Sequence, residues 1–282
     1  MMTLDVPGAS LFYETHGSGP LFVIVPGGGG SGDSFHPLAT VLAAKYTVVT
    51  YDRRGFSKSA LTGQQDYSVR LQTDVDDVHA LIKHLSPDGT AVVFGSSSGA
   101  IIAISTLLTY PTAIRALIPH EPPLCALLPD GDEWIKWNYS VYDVYKAEGT
   151  SAAFEKFMDQ MSGGMELKTY KQRLASLTDE QKKAAAEGPM GKNQAYWFEH
   201  ELRQYPAAPV DLDALAKLKD KLILVAGEDS EELFPFWPIR NLSEKLDLPI
   251  TTMPGAHVGF MYAPEPCGKI IMEALEKKGN SH

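Results

Sequence analysis

The chain has 282 residues, 44% of them hydrophobic, enough to fill the core of one α/β domain or of a domain with an inserted lid. Its formal charge of −10 at pH 7 argues against nucleic acid or an anionic membrane surface as partner, because phosphate binding needs clustered Lys and Arg that this sequence lacks. No apolar run approaches the roughly 20 residues of a membrane span, the first residues show no secretory pattern, and the 2 cysteines, Cys125 and Cys267, form no C-x-x-C pair. A reducing, cytoplasmic setting is the expectation.

In chain order, Ala9 to His16 alternates loosely and breaks at Gly17-Ser18-Gly19-Pro20, which predicts an antiparallel hairpin leading into the apolar strand Leu21 to Val25. A glycine-rich loop, Pro26-Gly27-Gly28-Gly29-Gly30, follows, then a helix over about Phe35 to Ala44 and a strand from Tyr46 to Tyr51. Val75, Val78, Leu81, Ile82 and Leu85 recur at helical spacing and predict an amphipathic helix from about Ser68 to Leu85. Ala91 to Phe94 reads as a buried strand, Ala100 to Leu108 as a helix, and Ala116 to Pro119 as a further strand ending at His120-Glu121-Pro122-Pro123. Strands alternating with helices predict a parallel sheet covered on both faces.

Between Leu128 and Pro206 the rhythm changes to amphipathic helices carrying Trp134, Trp137, Tyr142, Tyr145, Tyr196, Trp197 and Phe198. That segment reads as a helical cap, residues 128–206, inserted between a first core part, 1–127, and a second, 207–282. Its aromatics are expected to pack the cap on the core and, together, to line an apolar chamber. The α/β rhythm resumes with strands at Leu222 to Ala226 and Ile250 to Met253, and helices over about Pro238 to Leu246 and Pro266 to Leu275.

The most informative run is Gly95-Ser96-Ser97-Ser98-Gly99, between the strand Ala91 to Phe94 and the helix after it. A strand that turns this sharply into a helix strains its turn residue, and glycine two places before and two after leaves the room such an approach needs. Ser97 then stands exposed over a helix N-terminus, a suitable address for a nucleophile. A serine hydroxyl needs an imidazole to take its proton. His257, in Pro254-Gly255-Ala256-His257-Val258-Gly259 after the last strand, is best placed, whereas His16, His36, His79, His84 and His282 fall in hairpin, helix or tail positions expected to be solvated. The imidazole in turn needs a carboxylate, for which Glu121 and Asp229 both lie between Ser97 and His257 in the chain. An oxyanion hole needs two backbone N–H groups, which Ser98 and Gly28 are placed to supply.

Taken together, the glycine loop, Tyr51-Asp52-Arg53-Arg54-Gly55-Phe56-Ser57, Gly95-Ser96-Ser97-Ser98-Gly99-Ala100 and Gly255-Ala256-His257 resemble the α/β-hydrolase superfamily over essentially the whole chain. Ser97-Ser98-Gly99-Ala100 followed by His120-Glu121-Pro122-Pro123 is similar to the branch containing the zearalenone-type lactone hydrolases. The resemblance implies the α/β-hydrolase fold, no cofactor or metal, and a triad of Ser97, Glu121 and His257. It also implies substrate contact at Trp197, where the cap keeps an aromatic. Glu121 is favoured over Asp229 for a second reason, since the two prolines after it restrict the backbone that carries it. Asp229 sits among other acids in a loop that reads as surface.

The expected activity is a serine hydrolase acting on a small apolar ester or lactone, as a monomer or homodimer. Two other classes compete. The same fold also carries lyases, cofactor-free oxidoreductases and ligand-binding receptors. Gly27-x-Gly29-x-x-Gly32 after a strand, with Asp52 about 20 residues on, also fits a nicotinamide dinucleotide fingerprint.

Overall fold

The computed structural model describes residues 2–161 and 164–279. Strands β1 (Met2–Val6), β2 (Ala9–His16), β3 (Leu21–Val25), β4 (Thr47–Tyr51), β5 (Ala60–Leu61), β6 (Ala91–Ser96), β7 (Ile114–His120), β8 (Leu224–Gly227) and β9 (Ile250–Met253) form one sheet. Its order is β1-β2-β4-β3-β6-β7-β8-β9, with β5 paired to β2. From β4 through β9 every neighbouring pair is parallel, and β1 and β2 add an antiparallel edge.

The Gly17 to Pro20 turn joins β2 to β3 as expected, yet the two strands are not neighbours. β4 inserts between them, and the hairpin partner of β2 is β1. Burial explains the difference. All five residues of β3 are buried, as an interior strand with both faces covered requires, whereas β2 mixes buried and exposed positions and belongs near an edge.

Side chains of β3 alternate between two apolar layers. Leu21, Val23 and Val25 join α2 (Arg70–Leu85), α3 (Ser98–Thr109) and, further along, α10 (Phe236–Leu246), while Phe22 and Ile24 face α1 (His36–Leu42) and α12 (Pro264–Gly279). On α2, Val75, Val78, Leu81 and Ile82 are buried at the spacing the sequence shows. The helix expected over Phe35 to Ala44 is shorter, because residues 32–35 form a 3₁₀ turn before α1. A short helix α11 (Gly259–Tyr262), which no periodicity announced, precedes α12.

Within 128–206 the described residues form the helices α4 (Gly131–Glu148), α5 (Thr150–Met161), α6 (Gly164–Ser176), α7 (Asp179–Glu187) and α8 (Pro189–His200), with no strand among them. A five-residue helix, α9 (Leu212–Ala216), leads back to the sheet. Two apolar clusters join these helices to the rest. One combines Phe56 with Val141, Ala153, Trp197, Phe198 and Leu202, and the other combines Cys125 and Met161 with Phe234. Both cysteines are buried and free. His282 lies outside the described residues.

The β6–α3 junction tolerates no side chain at its glycines. A Cβ at Gly99 would come within 2.1 Å of the Val25 carbonyl oxygen, whereas one at Gly29 would meet nothing within 4 Å. Gly99→Ala is therefore expected to lower the denaturant-unfolding free energy by about 2–3 kcal/mol. Gly29→Ala should stay within about 0.5 kcal/mol of wild type in the same titration.

Candidate active site

Parallel strands leave their carboxyl ends free to carry side chains, and the residues singled out in the sequence collect at those ends. Ser97 sits between β6 and α3 at φ 56°, ψ −126°, a region that ordinary residues avoid. Its N–H donates to the His120 carbonyl oxygen at 2.9 Å and its carbonyl accepts from Ala100 N at 2.8 Å, which together hold the strain. Gly95 faces the Gly99 carbonyl so closely that an added Cβ would lie 2.4 Å from it.

Glu121, directly after β7, is also strained, at φ 46°. Its carboxylate is fully buried, accepting from Gly227 N at 2.8 Å through Oε1 and from His257 Nδ1 at 2.6 Å through Oε2. Burial would raise its pKa, but the His120 and His257 imidazoles and the hydrogen bond from His257 reverse this and hold it at about 2. It is an anion at neutral pH. Asp229 is exposed, and its place in the fold is set by its backbone, which donates to the Gly255 carbonyl oxygen at 3.0 Å. That bond ties the loop after β8 to the turn carrying His257.

Ser97 and His257 line one cavity, together with Ser98, Asn138, Phe157 and Trp197, and with Met161, Leu202 and Phe234 among its apolar walls. The enclosed space is about 20 Å³, room for roughly one water. A larger molecule enters only if these apolar side chains shift. Among the described residues the Ser97 hydroxyl makes no hydrogen bond; it shares the cavity with His257, whose Nδ1 is engaged by Glu121. Gly28 and Ser98 flank the serine on separate elements, and among the described residues neither N–H donates within the protein. The glycine loop abuts the turn, since a Cβ at Gly27 would lie 3.0 Å from Ser97 Cβ.

Of the seven aromatics noted in residues 128–206, Trp197 alone lines this cavity. The others serve packing: Trp134 meets Phe234 and Trp237, Tyr145 stacks on Phe198, and Tyr142 donates to Glu199. Phe157 and Phe234 carried no motif and were missed. The histidines expected in solvent are less free than their positions suggested. His16, His36 and His79 are half-buried; His36 pairs with Glu14 at 2.7 Å, and His79 stacks on Tyr110. Of those among the described residues, only His84 is exposed.

Asp52 does not fit the dinucleotide reading. It is fully buried, with Oδ1 accepting from Gly32 N at 2.9 Å and Ser31 Oγ at 2.8 Å, and Oδ2 from Lys58 N at 3.0 Å. Its oxygens are occupied in holding the loops, and the glycine run opens on a 3₁₀ turn rather than the long helix a pyrophosphate site uses.

Residues 20–230 match the family model described as alpha/beta hydrolase fold. The chain belongs to the α/β-hydrolase family. It is 35% identical over 280 residues to an uncharacterized hydrolase, YraK, of Bacillus subtilis (strain 168), covering 98% of this chain and 96% of that one. It is 29% identical over 283 residues to a zearalenone hydrolase of Bionectria ochroleuca, covering 98% and 97% respectively, which supports the branch signalled by His120-Glu121-Pro122-Pro123. A solved thermophilic esterase from Thermogutta terrifontis superimposes with a TM-score of 0.75 at 18% identity, over 99% of each chain, and shares the fold. This α/β hydrolase has no helix, among the described residues, long and apolar enough to cross a membrane.

His120 gives the site a pH signature. Burial drives its pKa down to about 4 from an ordinary 6.5, with the His257 charge adding to the fall and Glu121 opposing it. Between those values the unfolded chain binds the extra proton and the folded one does not, so this contribution to stability is complete above pH 6.5 and is lost as pH falls towards 4. The loss should amount to about 3 kcal/mol. His120→Gln is expected to flatten the dependence of Tm on pH in that window, as scanning calorimetry at a series of pH values would show.

Proposed function

We propose that this α/β hydrolase cleaves a small, largely apolar carboxylic ester or lactone through an acyl-enzyme on Ser97. Ser97 Oγ attacks the substrate carbonyl carbon while His257 Nε2 takes the hydroxyl proton. Glu121 holds the ring through Nδ1 and balances the imidazolium charge. The oxyanion meets the N–H groups of Gly28 and Ser98, the second reinforced by the N-terminus of α3. Collapse breaks the carbonyl carbon–alkoxy bond, and the proton on His257 passes to the departing alkoxide, which stays tethered to the acyl group when the substrate is a lactone. Water, deprotonated by His257, then attacks the acyl-enzyme and returns Ser97. Residues 128–206 act as the cap, and Trp197, Phe157 and Phe234 give the chamber its apolar character.

The observation that carries this reading is the 2.6 Å contact between His257 and the buried Glu121, on a ring that shares a cavity with the strained Ser97. The alternative in which the fold only binds its ligand leaves that arrangement without a task.

Short p-nitrophenyl esters and simple lactones provide the test. Ser97→Ala is expected to lower kcat by about 10³-fold or more while circular dichroism stays native. Glu121→Gln should cost about 10³- to 10⁴-fold, because the imidazole loses its orienting partner, and Asp229→Asn should remain within about tenfold of wild type. Full activity in Ser97→Ala, or tight ligand binding by wild type without turnover, would overturn the proposal. The opposite ranking of the two carboxylate variants would move the acid to Asp229.

A further inference from the structure

One face of α8 meets the glycine loop residue by residue. Asn193, Trp197 and Glu201 are four apart, so they stand one above another on a helix and its first following residue. Asn193 Nδ2 donates to the Gly29 carbonyl oxygen at 2.9 Å and to Ser57 Oγ at 2.8 Å, and its Oδ1 accepts from Ser57 N at 2.9 Å. The Trp197 indole lies flush on Gly28, where a Cβ would come within 2.9 Å of the ring. Glu201 grips Arg53 with both oxygens, at 3.0 and 2.7 Å, and Arg53 Nη2 also donates to the Gly27 carbonyl oxygen at 2.8 Å. The three helix positions therefore address Gly29, Gly28 and, through Arg53, Gly27.

Peptide planarity turns these contacts into a constraint on one atom. The Gly27 carbonyl and the Gly28 N–H belong to the same trans unit and point in opposite directions. Fixing the carbonyl on Arg53 fixes where that N–H points. The Arg53 main chain adds a brace, its N–H donating to the Gly30 carbonyl oxygen at 2.8 Å. All four side chains are buried, and Asp74, at 3.2 Å from Arg53, and Arg70, at 3.2 Å from Glu201, complete the charges around the pair. Of the walls around the cavity, α8 is thus bonded to the loop, whereas Phe157 and Met161 of α5 reach it as apolar side chains.

We propose that Asn193, Trp197, Glu201 and Arg53 are positioning residues that aim the Gly28 N–H at the reacting carbonyl, so that docking of α8 and oxyanion stabilisation are one event. This rests on the serine-hydrolase reading above. Loss of the latch should act on the transition state and leave ground-state binding of the apolar substrate largely intact.

The experiment measures kcat, KM and the second-order rate of Ser97 phosphonylation by a fluorophosphonate, for wild type, Asn193→Ala, Asn193→Asp and Glu201→Gln. Leu215→Ala, a core truncation in α9 remote from the loop, serves as a variant destabilised without touching it. All rates are taken well below each variant's Tm. The latch variants are expected to lose about 10- to 30-fold in kcat and the same factor in phosphonylation, with KM within about threefold, a part of the loss that removing an oxyanion donor brings. Leu215→Ala should keep wild-type rates despite its lower Tm. Wild-type rates in both Asn193 variants would overturn the latch, as would an equal loss in Leu215→Ala; the Asn193 pair decides the matter even if Glu201→Gln does not fold. Wild-type protein that neither turns over esters nor labels at Ser97 would instead overturn the catalytic reading, so the two failures are distinguishable.

Discussion

Everything at the candidate site depends on how closely β3, β6 and the start of α3 approach one another. Gly95 and Gly99 allow main-chain contacts that any side chain would block, and the resulting turn forces Ser97 to a positive φ. The same turn leaves the Ser98 N–H at a helix end and brings Gly27 against Ser97. One strand over, Glu121 carries comparable strain where β7 ends, and Ser97 N bonds to the carbonyl of the residue before it. The two strained residues brace each other. Backbone strain of order 1–3 kcal/mol at each is tolerable only because the surrounding sheet, buried on both faces, fixes the geometry.

Two charge systems support the site and differ in their exposure to the cavity. Glu121, His120 and His257 form one, open to the cavity through His257, with His120 kept neutral at ordinary pH by burial and stacked at 5.8 Å on the His257 ring. Arg53, Asp74, Arg70 and Glu201 form the other, closed to solvent and carrying paired charges throughout. Such a closed cluster is costly to desolvate and adds little net stability over apolar packing of equal volume. Its contribution is geometric, because charged partners with fixed hydrogen-bond directions hold a glycine loop that has no side chains of its own to anchor it.

Much of this was legible from the chain. Leu21 to Val25 and Ala91 to Phe94 read as buried strands because their unbroken apolar runs match a sheet covered on both sides, and the glycine spacing around Ser97 marked the turn. The His257 loop and the His-Glu-Pro-Pro run were visible for similar reasons, as short patterns with a local backbone requirement. What stayed hidden depends on contacts between distant residues. No local pattern tells that β4 separates β2 from β3, and the preference for Glu121 over Asp229 rested on the family resemblance and two prolines, not on any sign of the contact with His257 across 136 positions. Nor does one tell that Asn193 reaches a carbonyl 164 residues away, because a lone Asn on a helix looks the same whether it faces solvent or a loop. Trp197 was identifiable through the family resemblance, whereas Phe157 and Phe234 had no such marker.

The most direct test of the account is a crystal structure of the protein inactivated with a small alkyl fluorophosphonate, which mimics the tetrahedral intermediate. The account predicts phosphorus bonded to Ser97 Oγ, the phosphoryl oxygen about 2.7–3.1 Å from both Gly28 N and Ser98 N, and His257 still bonded to Glu121. An adduct on another residue, or a phosphoryl oxygen turned away from those two N–H groups, would contradict it.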